Sequence, residues 1–257
     1  MTAVSTTPAT PPATSTVAVL HSEWIKVRSL RGSFGSLLAV FVATLAITTL
    51  TFATIGQEEA GNGGDLLFEA FYALNFGQIA VLAFGATAVS SEYLNNALRV
   101  SLAAVPNRNL FYAAKTAVIG GCGLVVGLLT TFTAFLVGQA FMGPYTLGLG
   151  DPGALRACVG GGVYLALMAL LAAGLTAVLR SAVAVLSILV PFLLIVSFVI
   201  GDVAGSVADF LPDRAGQQIL HQHAEGSLGP WAGLAVTALW AAAALLAGWW
   251  AVRRRDA

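Results

Sequence analysis

Two neighbouring residues, Lys115 and Thr116, are of the types with which a P-loop holds a nucleotide phosphate. A P-loop also needs glycines six positions and one position before the lysine, because glycine lets the backbone N–H groups close around the phosphate. Asn109 and Ala114 occupy those positions here. We therefore predict that this chain does not bind ATP by that route.

A second group of chemically versatile side chains is His221, His223 and Glu225. These residues lack the spacing of metal ligands on one face of a helix, so the pattern favours a polar loop over a metal site. Glu58 and Glu59 lack the downstream basic partner that an intramembrane glutamate protease would show. The chain also has no Gly-x-Ser-x-Gly sequence, the turn that carries the nucleophilic serine in hydrolases. The sequence thus predicts no catalytic residue, no bound metal and no enzyme activity of the chain itself.

One polar stretch, SSEYLNNALRVSLAAVPNR, has more structure than a linker needs. Residues 93–104 form a helical core, and Pro106 ends it because proline cannot continue a helix. Charges lie at both ends, with Glu92 before Arg99 and Arg108 after it. We predict that this stretch is a contact surface.

The composition shows what surrounds that stretch. The chain is 58% hydrophobic and 9% charged, with a mean hydropathy of +0.85. Soluble domains carry about 25% charged residues, and a chain this poor in charge cannot cover a surface that faces water. An integral membrane protein is therefore expected, and the net charge of zero gives no electrostatic footprint for nucleic acid.

Six apolar runs reach the length of a membrane span, which is about 20 residues. They cover residues 34–55, 67–89, 113–142, 154–179, 182–200 and 230–252. Residues 1–15, rich in Thr, Ala and Pro, are predicted to be a disordered tail. The expected fold is all-α: residues 16–257 form a single domain with six transmembrane helices.

Basic residues predict the orientation of these spans. With the N-terminus inside, the inner segments carry ten of the twelve Lys and Arg, and the outer segments nine of the twelve Asp and Glu. Both termini and residues 90–108 are then cytoplasmic in a multi-pass protein of the plasma membrane. The largest outer segment is Gly201–Gly229, where VADFLPDRAGQQIL predicts a short amphipathic helix at the outer surface.

A second cytoplasmic element precedes the first span. Val17, Leu20, Trp24 and Val27 recur at helical spacing and form one apolar face. The charged residues lie mostly on other faces, namely Glu23, Lys26, Arg28 and Arg31. A basic amphipathic helix with a tryptophan suits the lipid interface; the alternative is a helix packed on the cytoplasmic side of the protein itself.

Polar residues within the spans are concentrated in the second run. Tyr72, Asn75 and Gln78 follow one another at intervals of three and are expected to be neighbours on a helix. They could line a substrate path or form hydrogen bonds between helices, and the pattern favours neither. No ionisable residue lies in the middle of a predicted span, which disfavours ion-coupled transport.

Small residues predict close helix packing. Gly123 and Gly127 are four apart in the third run, a spacing that lets two helix backbones approach closely. Pro191 is expected to kink the fifth run.

The two cytoplasmic elements resemble those of a known family. Residues Ser91-Glu92-Tyr93, Arg99, Leu102 to Pro106 and Arg108 resemble the cytoplasmic signature of permease subunits of type-2 ABC exporters. Small actinobacterial members often read S-S-E-Y-R-x-G-T-x-R-x-T-L-x-x-x-P-x-R there, and the earlier SEWIKVRS is similar to their S-E-W-x-K-L-R-S. With the six-span layout, the resemblance covers nearly all of the chain after the tail.

This resemblance implies a G-type ABC exporter fold and a partner that supplies energy. Two separate ATP-binding subunits, which hold ATP and Mg²⁺, would dock on the cytoplasmic face of a permease dimer made with a second copy or a related chain. The apolar spans suit a hydrophobic or amphipathic substrate, and the resemblance implies export.

The resemblance also assigns residues to roles. The stretch after the second span would be the coupling helix, with ATPase-coupling candidates Glu92, Tyr93, Arg99, Pro106 and Arg108. The N-terminal helix would be the connecting helix, with Glu23, Trp24, Lys26 and Arg28.

The chain departs from the family pattern at three positions. Leu94, Asn96 and Ala97 stand where members usually have Arg, Gly and Thr. Two other classes share the apolar spans: a membrane scaffold or assembly protein without an ATPase, and an intramembrane enzyme.

Overall fold

The computed structural model describes residues 15–54, 65–95, 97–197, 199, 205–223 and 227–254. The described chain is all-helical and contains no strand. Its α-helices, numbered in order, are α1 (Thr16–Ser29), α2 (Arg31–Thr54), α3 (Leu66–Ala70), α4 (Leu74–Ser90), α5 (Ala97–Ala104), α6 (Arg108–Ala140), α7 (Ala154–Leu179), α8 (Ala182–Pro191), α9 (Pro212–Gln217) and α10 (Pro230–Arg254).

Within the described residues, five helices are long and apolar enough to cross a membrane: α2, α4 with the turn that follows it, α6, α7 and α10. The fifth predicted run, residues 182–200, is only partly described. There α8 continues into a π-helical turn, Phe192–Val196, and residues 197 and 199 are also helical. Pro191 lies at this junction, where its missing N–H interrupts the regular ladder.

The second predicted span is interrupted, contrary to the expectation of one helix over residues 67–89. α3 ends at Ala70, and a three-residue turn separates it from α4. Asp65 caps α3 by accepting the N–H groups of Leu67 and Phe68, and its other carboxylate oxygen accepts the N–H of Gln222. Hydropathy could not reveal this break, because the turn residues are as apolar as the helices they join.

The bundle is built around α7, the most buried of the long helices. Its sides pack against α4, α6 and α10. A Cβ added to Gly127 of α6 would lie 2.7 Å from the carbonyl oxygen of Gly162, so the predicted close approach of the Gly123–Gly127 pair is confirmed. On the α4 side, a Cβ on Gly85 would lie 2.1 Å from the carbonyl oxygen of Ala169.

The expected short helix before α10 is present as α9, but this segment packs into the bundle and does not lie at the surface. Ile219 and Leu220 are buried against Gly160 and Gly161 of α7, while Gly216 of α9 lies against the ring of Tyr164. Tyr164 is ten residues, or about 15 Å, along α7 from its start. Because glycine has no Cβ atom, these positions leave room for a re-entrant segment to pack against α7 at this depth.

The two ends of the bundle carry different elements. The terminal face holds α1, α5 and the end of α10, where Arg108 donates to the carbonyl oxygen of Val252. The distal face holds α3, α9 and the start of α7, where Arg156 donates to the carbonyl oxygen of His221.

Replacing Gly127 by alanine should destabilise the protein by about 1–3 kcal/mol, because the new methyl group collides with backbone of α7. Gly121→Ala on the same helix is the matched control, since its Cβ would meet no atom within 4 Å. That change should be neutral or slightly stabilising through helix propensity. Thermal unfolding in detergent measures both, and equal melting temperatures for the two variants would contradict this account of the α6–α7 contact.

Candidate functional site

A buried charge cluster joins four elements at the terminal face. It consists of Glu23, Lys26, Glu92, Ser101 and Lys115. Lys26 Nζ lies 2.8 Å from Glu23 and 2.9 Å from Glu92. Lys115 Nζ lies 2.6 Å from Glu23 and 2.8 Å from Glu92. Ser101 accepts a hydrogen bond from Lys26 and donates one to Glu92.

Each element brings its member for a local reason. Glu23 and Lys26 are three apart on α1 and therefore share a face. Glu92 lies in a 3₁₀ turn that extends α4 beyond Ser90. Ser101 lies on α5, and Lys115 lies two turns into α6.

The cluster is balanced in charge and largely excluded from solvent. Glu23, Glu92 and Lys115 are only 3%, 4% and 6% exposed, whereas Lys26 is half-buried. Removing such charges from water costs several kcal/mol for each ion, and close pairing with further hydrogen bonds must offset that cost. Burial opposes the charge of Lys26, but hydrogen bonds and charges of Glu23 and Glu92 outweigh it and raise the pKa of Lys26.

An aromatic and aliphatic layer closes the cluster. The ring of Phe111 lies 5.5 Å from Lys26 Nζ and 5.6 Å from Lys115 Nζ, within cation–π range. Phe111 belongs to a small apolar core with Val19, Leu98 and Val105. The terminal-face helices thus have a core of their own, separate from that of the bundle.

The buried face of α1 differs from the predicted apolar face. Val19, Glu23 and Val27 are buried, while Val17 and Trp24 are exposed. The difference arises because α1 turns Glu23 inward to meet the two lysines. α1 packs on α6, as the alternative interpretation expected, and Trp24 and Arg28 line an outward apolar groove beside α2 and α6.

The predicted coupling helix is shorter than residues 93–104. α5 begins at Ala97, after the 3₁₀ turn and Asn95, whose φ of 52° requires a left-handed backbone. This kink separates Glu92, turned inward, from a solvent-facing surface. Leu94, Arg99, Val100 and Pro106 form that outward surface.

Tyr93 and Arg108 connect the terminal face to other helices. Tyr93 donates its hydroxyl to the carbonyl oxygen of Ala177 at 3.3 Å, and the Arg180 guanidinium lies 5.5 Å from its ring. Arg108 donates to the carbonyl oxygen of Val252 at 2.8 Å, at the end of α10. A cation there is favourable because the last carbonyl groups of a helix carry partial negative charge.

The three polar residues of the second predicted span lie in different surroundings. Tyr72 lies in the turn before α4 and is exposed. Asn75 accepts a hydrogen bond from Gln217 of α9 at 2.9 Å. Gln78 is buried and accepts the hydroxyl of Tyr164, a hydrogen bond between helices. Asn75 lines a cavity at the distal face.

The structure describes two members of the group His221, His223 and Glu225, namely the two histidines. His221 stacks on Phe68 with ring centroids 3.9 Å apart, and its Nδ1 lies 3.3 Å from Asp65. Burial disfavours the Asp65 carboxylate, but hydrogen bonds from His221, Phe68 and Gln222 prevail and lower its pKa. Glu225 lies outside the described residues.

Lys115 and Ser101 are the cluster members that sequence reasoning did not place in the site. Lys115 had a usable signal, because a lysine two turns inside an apolar helix needs an anionic partner. Ser101 had none, since a serine on a short polar helix is unremarkable in composition.

An all-helical chain with five membrane-length helices and a buried charge cluster at one end is a multi-pass membrane protein. The family model described as ABC-2 family transporter protein matches residues 19–204, more than half of the 257-residue chain. The chain belongs to that family and is an ABC-2 type permease subunit, a transport component that is not itself catalytic. No curated protein and no solved structure matches the chain.

Breaking the cluster from one side should be costly. Lys115→Met leaves two buried carboxylates with one lysine, and Glu92→Gln leaves two lysines with one carboxylate. We expect each to destabilise the protein by about 3–5 kcal/mol. The double variant restores charge balance and should be less destabilised than the sum, with a coupling of about 1–3 kcal/mol.

Thermal or denaturant unfolding in detergent measures this cycle. Arg28→Gln is the control, because this exposed α1 side chain lies outside the cluster and should change stability by less than about 0.5 kcal/mol. Strict additivity of the two single changes would show that Glu92 and Lys115 do not stabilise each other.

Proposed function

We propose that this permease exports a hydrophobic or amphipathic substrate, driven by a separate ATP-binding subunit that docks on the terminal face. The observation that carries the proposal is the charge cluster. It fixes α1 and α5, the connecting and coupling helices of the family resemblance, to each other and to two membrane helices.

Glu92 and Lys115 connect the charge cluster directly to two membrane helices. Glu92 follows α4 without a linker, and Lys115 belongs to α6. A force on α5 therefore reaches α4 through the hydrogen bond from Ser101 to Glu92, and reaches α6 through the ion pair of Glu92 with Lys115. α1 moves with them through Glu23 and Lys26. An ATP-binding subunit that changed shape against α5 would move all four elements together.

The outward surface of α5 is the proposed docking site. Val100 is 70% exposed and Leu94 is 64% exposed, and both are apolar at the face where charged residues gather. Arg99 and Pro106 lie on the same surface. Leu94 supplies apolar contact where other members have a charge, so the partner should present a complementary apolar patch there.

The remaining parts of the proposal follow from this docking. The terminal face, with both ends of the chain, lies in the cytoplasm of a plasma-membrane protein. ATP and Mg²⁺ bind to the partner, and the permease acts as a dimer with a second copy or a related chain. Membrane lipid contacts the outward groove beside Trp24 and Arg28. A scaffold without an ATPase remains the second candidate, and the same experiment decides between them.

Val100→Glu should weaken association with the ATP-binding subunit, because a charge would replace an apolar contact in the docking site. The measurement is co-purification of an ATP-binding subunit with the tagged chain from its native membrane, followed by ATP hydrolysis in nanodiscs. We expect at least a tenfold loss of association, about 1.4 kcal/mol. The melting temperature should stay unchanged, because this exposed side chain makes few packing contacts.

Val207→Glu is the matched control, because Val207 is 71% exposed but lies on the distal side of the bundle. It should leave association and hydrolysis unchanged. If Val100→Glu retains the ATP-binding subunit as the control does, α5 is not the docking site. Absence of any ATP-binding subunit from the wild-type complex would favour the scaffold.

A further inference from the structure

A cavity of about 400 Å³ opens near the distal face, among α3, α4, the turn after α8, and α9. Small-molecule sites commonly have volumes of about 300–1,000 Å³. The cavity is lined by apolar Phe68 and Leu193 and by a set of polar side chains that includes Asp213 and Gln218. It is separate from the charge cluster, which lies at the other end of α4.

Two buried acceptor atoms in the lining have no hydrogen-bond partner among the described residues: Asp213 Oδ1 and Gln218 Oε1. Asp213 is only 5% exposed, and no described basic group lies within ion-pair distance of it. Burial raises the pKa of its carboxyl group, because desolvation outweighs the hydrogen bonds from the Ser197 side chain and from the backbone N–H groups of Asp213 and Arg214. An unpaired buried polar atom costs about 1–3 kcal/mol, so Asp213 Oδ1 and Gln218 Oε1 each favour binding of a hydrogen-bond donor.

The hydrogen-bonding chemistry of the lining atoms indicates what kind of ligand the cavity can bind. The carboxylate and amide oxygens only accept hydrogen bonds, and the serine hydroxyl can also accept. Two nearby donor atoms are engaged within the protein: Gln217 Nε2 donates to Asn75, and Arg214 Nε donates to the carbonyl oxygen of Ser197. A ligand that completes this set must therefore donate hydrogen bonds.

The charges of the lining favour a cation. Asp209 and Asp213 contribute two carboxyl groups, against the one guanidinium of Arg214. His221 contributes no net excess of positive charge, because it lies against Asp65. Phe68 and Leu193 add an apolar wall, which suits a ligand with an apolar body.

We propose that the distal cavity binds the ammonium group of an amphipathic amine, with Asp213 as the charged acceptor and Gln218 and Ser197 as further acceptors. The apolar part of the amine lies against Phe68 and Leu193. Where the export function proposed above holds, amphipathic amines are the substrate class that the distal cavity selects.

The test is equilibrium binding of a fluorescent probe, dansylcadaverine, to the purified full chain in nanodiscs. Its primary amine and apolar ring system match the cavity, and N-acetyl dansylcadaverine is the matched probe without the charge. We expect saturable binding of the amine and binding at least about tenfold weaker for the acetylated probe.

Asp213→Asn should weaken binding of the amine at least about tenfold, with little effect on the acetylated probe. Asp151→Asn is the matched control, because Asp151 is an exposed acid outside the cavity. The melting temperature of Asp213→Asn shows whether the variant is folded, and it should equal or exceed that of the wild type, since an unpaired buried carboxyl group is removed.

Three outcomes would overturn the proposal: no saturable binding of the amine, equal binding of the two probes, or wild-type affinity in a folded Asp213→Asn variant. Each of these requires no ATP and no partner subunit. Failure of the binding test therefore leaves the docking of an ATP-binding subunit intact, and failure of docking leaves the amine site intact.

Discussion

The pairing of two carboxylates with two lysines in a buried cluster is the constraint on which the terminal face depends. Glu23 and Glu92 each contact both Lys26 and Lys115. None of the four could be buried alone, because an isolated ion in such a site would lose its hydration without compensation. Their mutual pairing therefore fixes how α1, α4, α5 and α6 meet. Apolar contacts around Phe111 add packing to this arrangement but do not determine which faces meet.

Within the bundle the governing constraint is distance between backbones. Contacts between apolar surfaces give little preference for one helix face over another inside a lipid bilayer, so packing depends on close fit. Gly85, Gly127 and Gly162 provide that fit around α7, where an added Cβ would meet backbone atoms at less than 3 Å. The absence of a Cβ atom at Gly160 and Gly161 likewise leaves room for the re-entrant segment. Charge thus orders one end of the molecule, and small residues order the rest.

Local features of the chain could be predicted from sequence, while features that depend on distant residues could not. The predicted run at residues 154–179 has the same bounds as α7. The two residues that flank this helix, Gly153 and Arg180, both have left-handed backbone. The break at residues 71–73 was missed, since Asp65 caps α3 and then binds Gln222, far away in sequence. The pairing of Glu23 with Lys115 was missed for the same reason. Periodicity describes one helix at a time and carries no information about the partner that turns a glutamate inward.

α4 is the element that belongs to both ends of the molecule. Glu92 continues it at the charge cluster, and Asn75 near its start binds Gln217 of the re-entrant segment. Gln78 binds it to Tyr164 of α7 along the way. A helix of this length is stiff, because every interior backbone group is bonded within it. A displacement of its Glu92 end must therefore either strain the Gln78 and Asn75 contacts or move the wall of the distal cavity. A permease that couples one face to the other needs a rigid element of this kind, and α4 has polar contacts at both ends to serve as one.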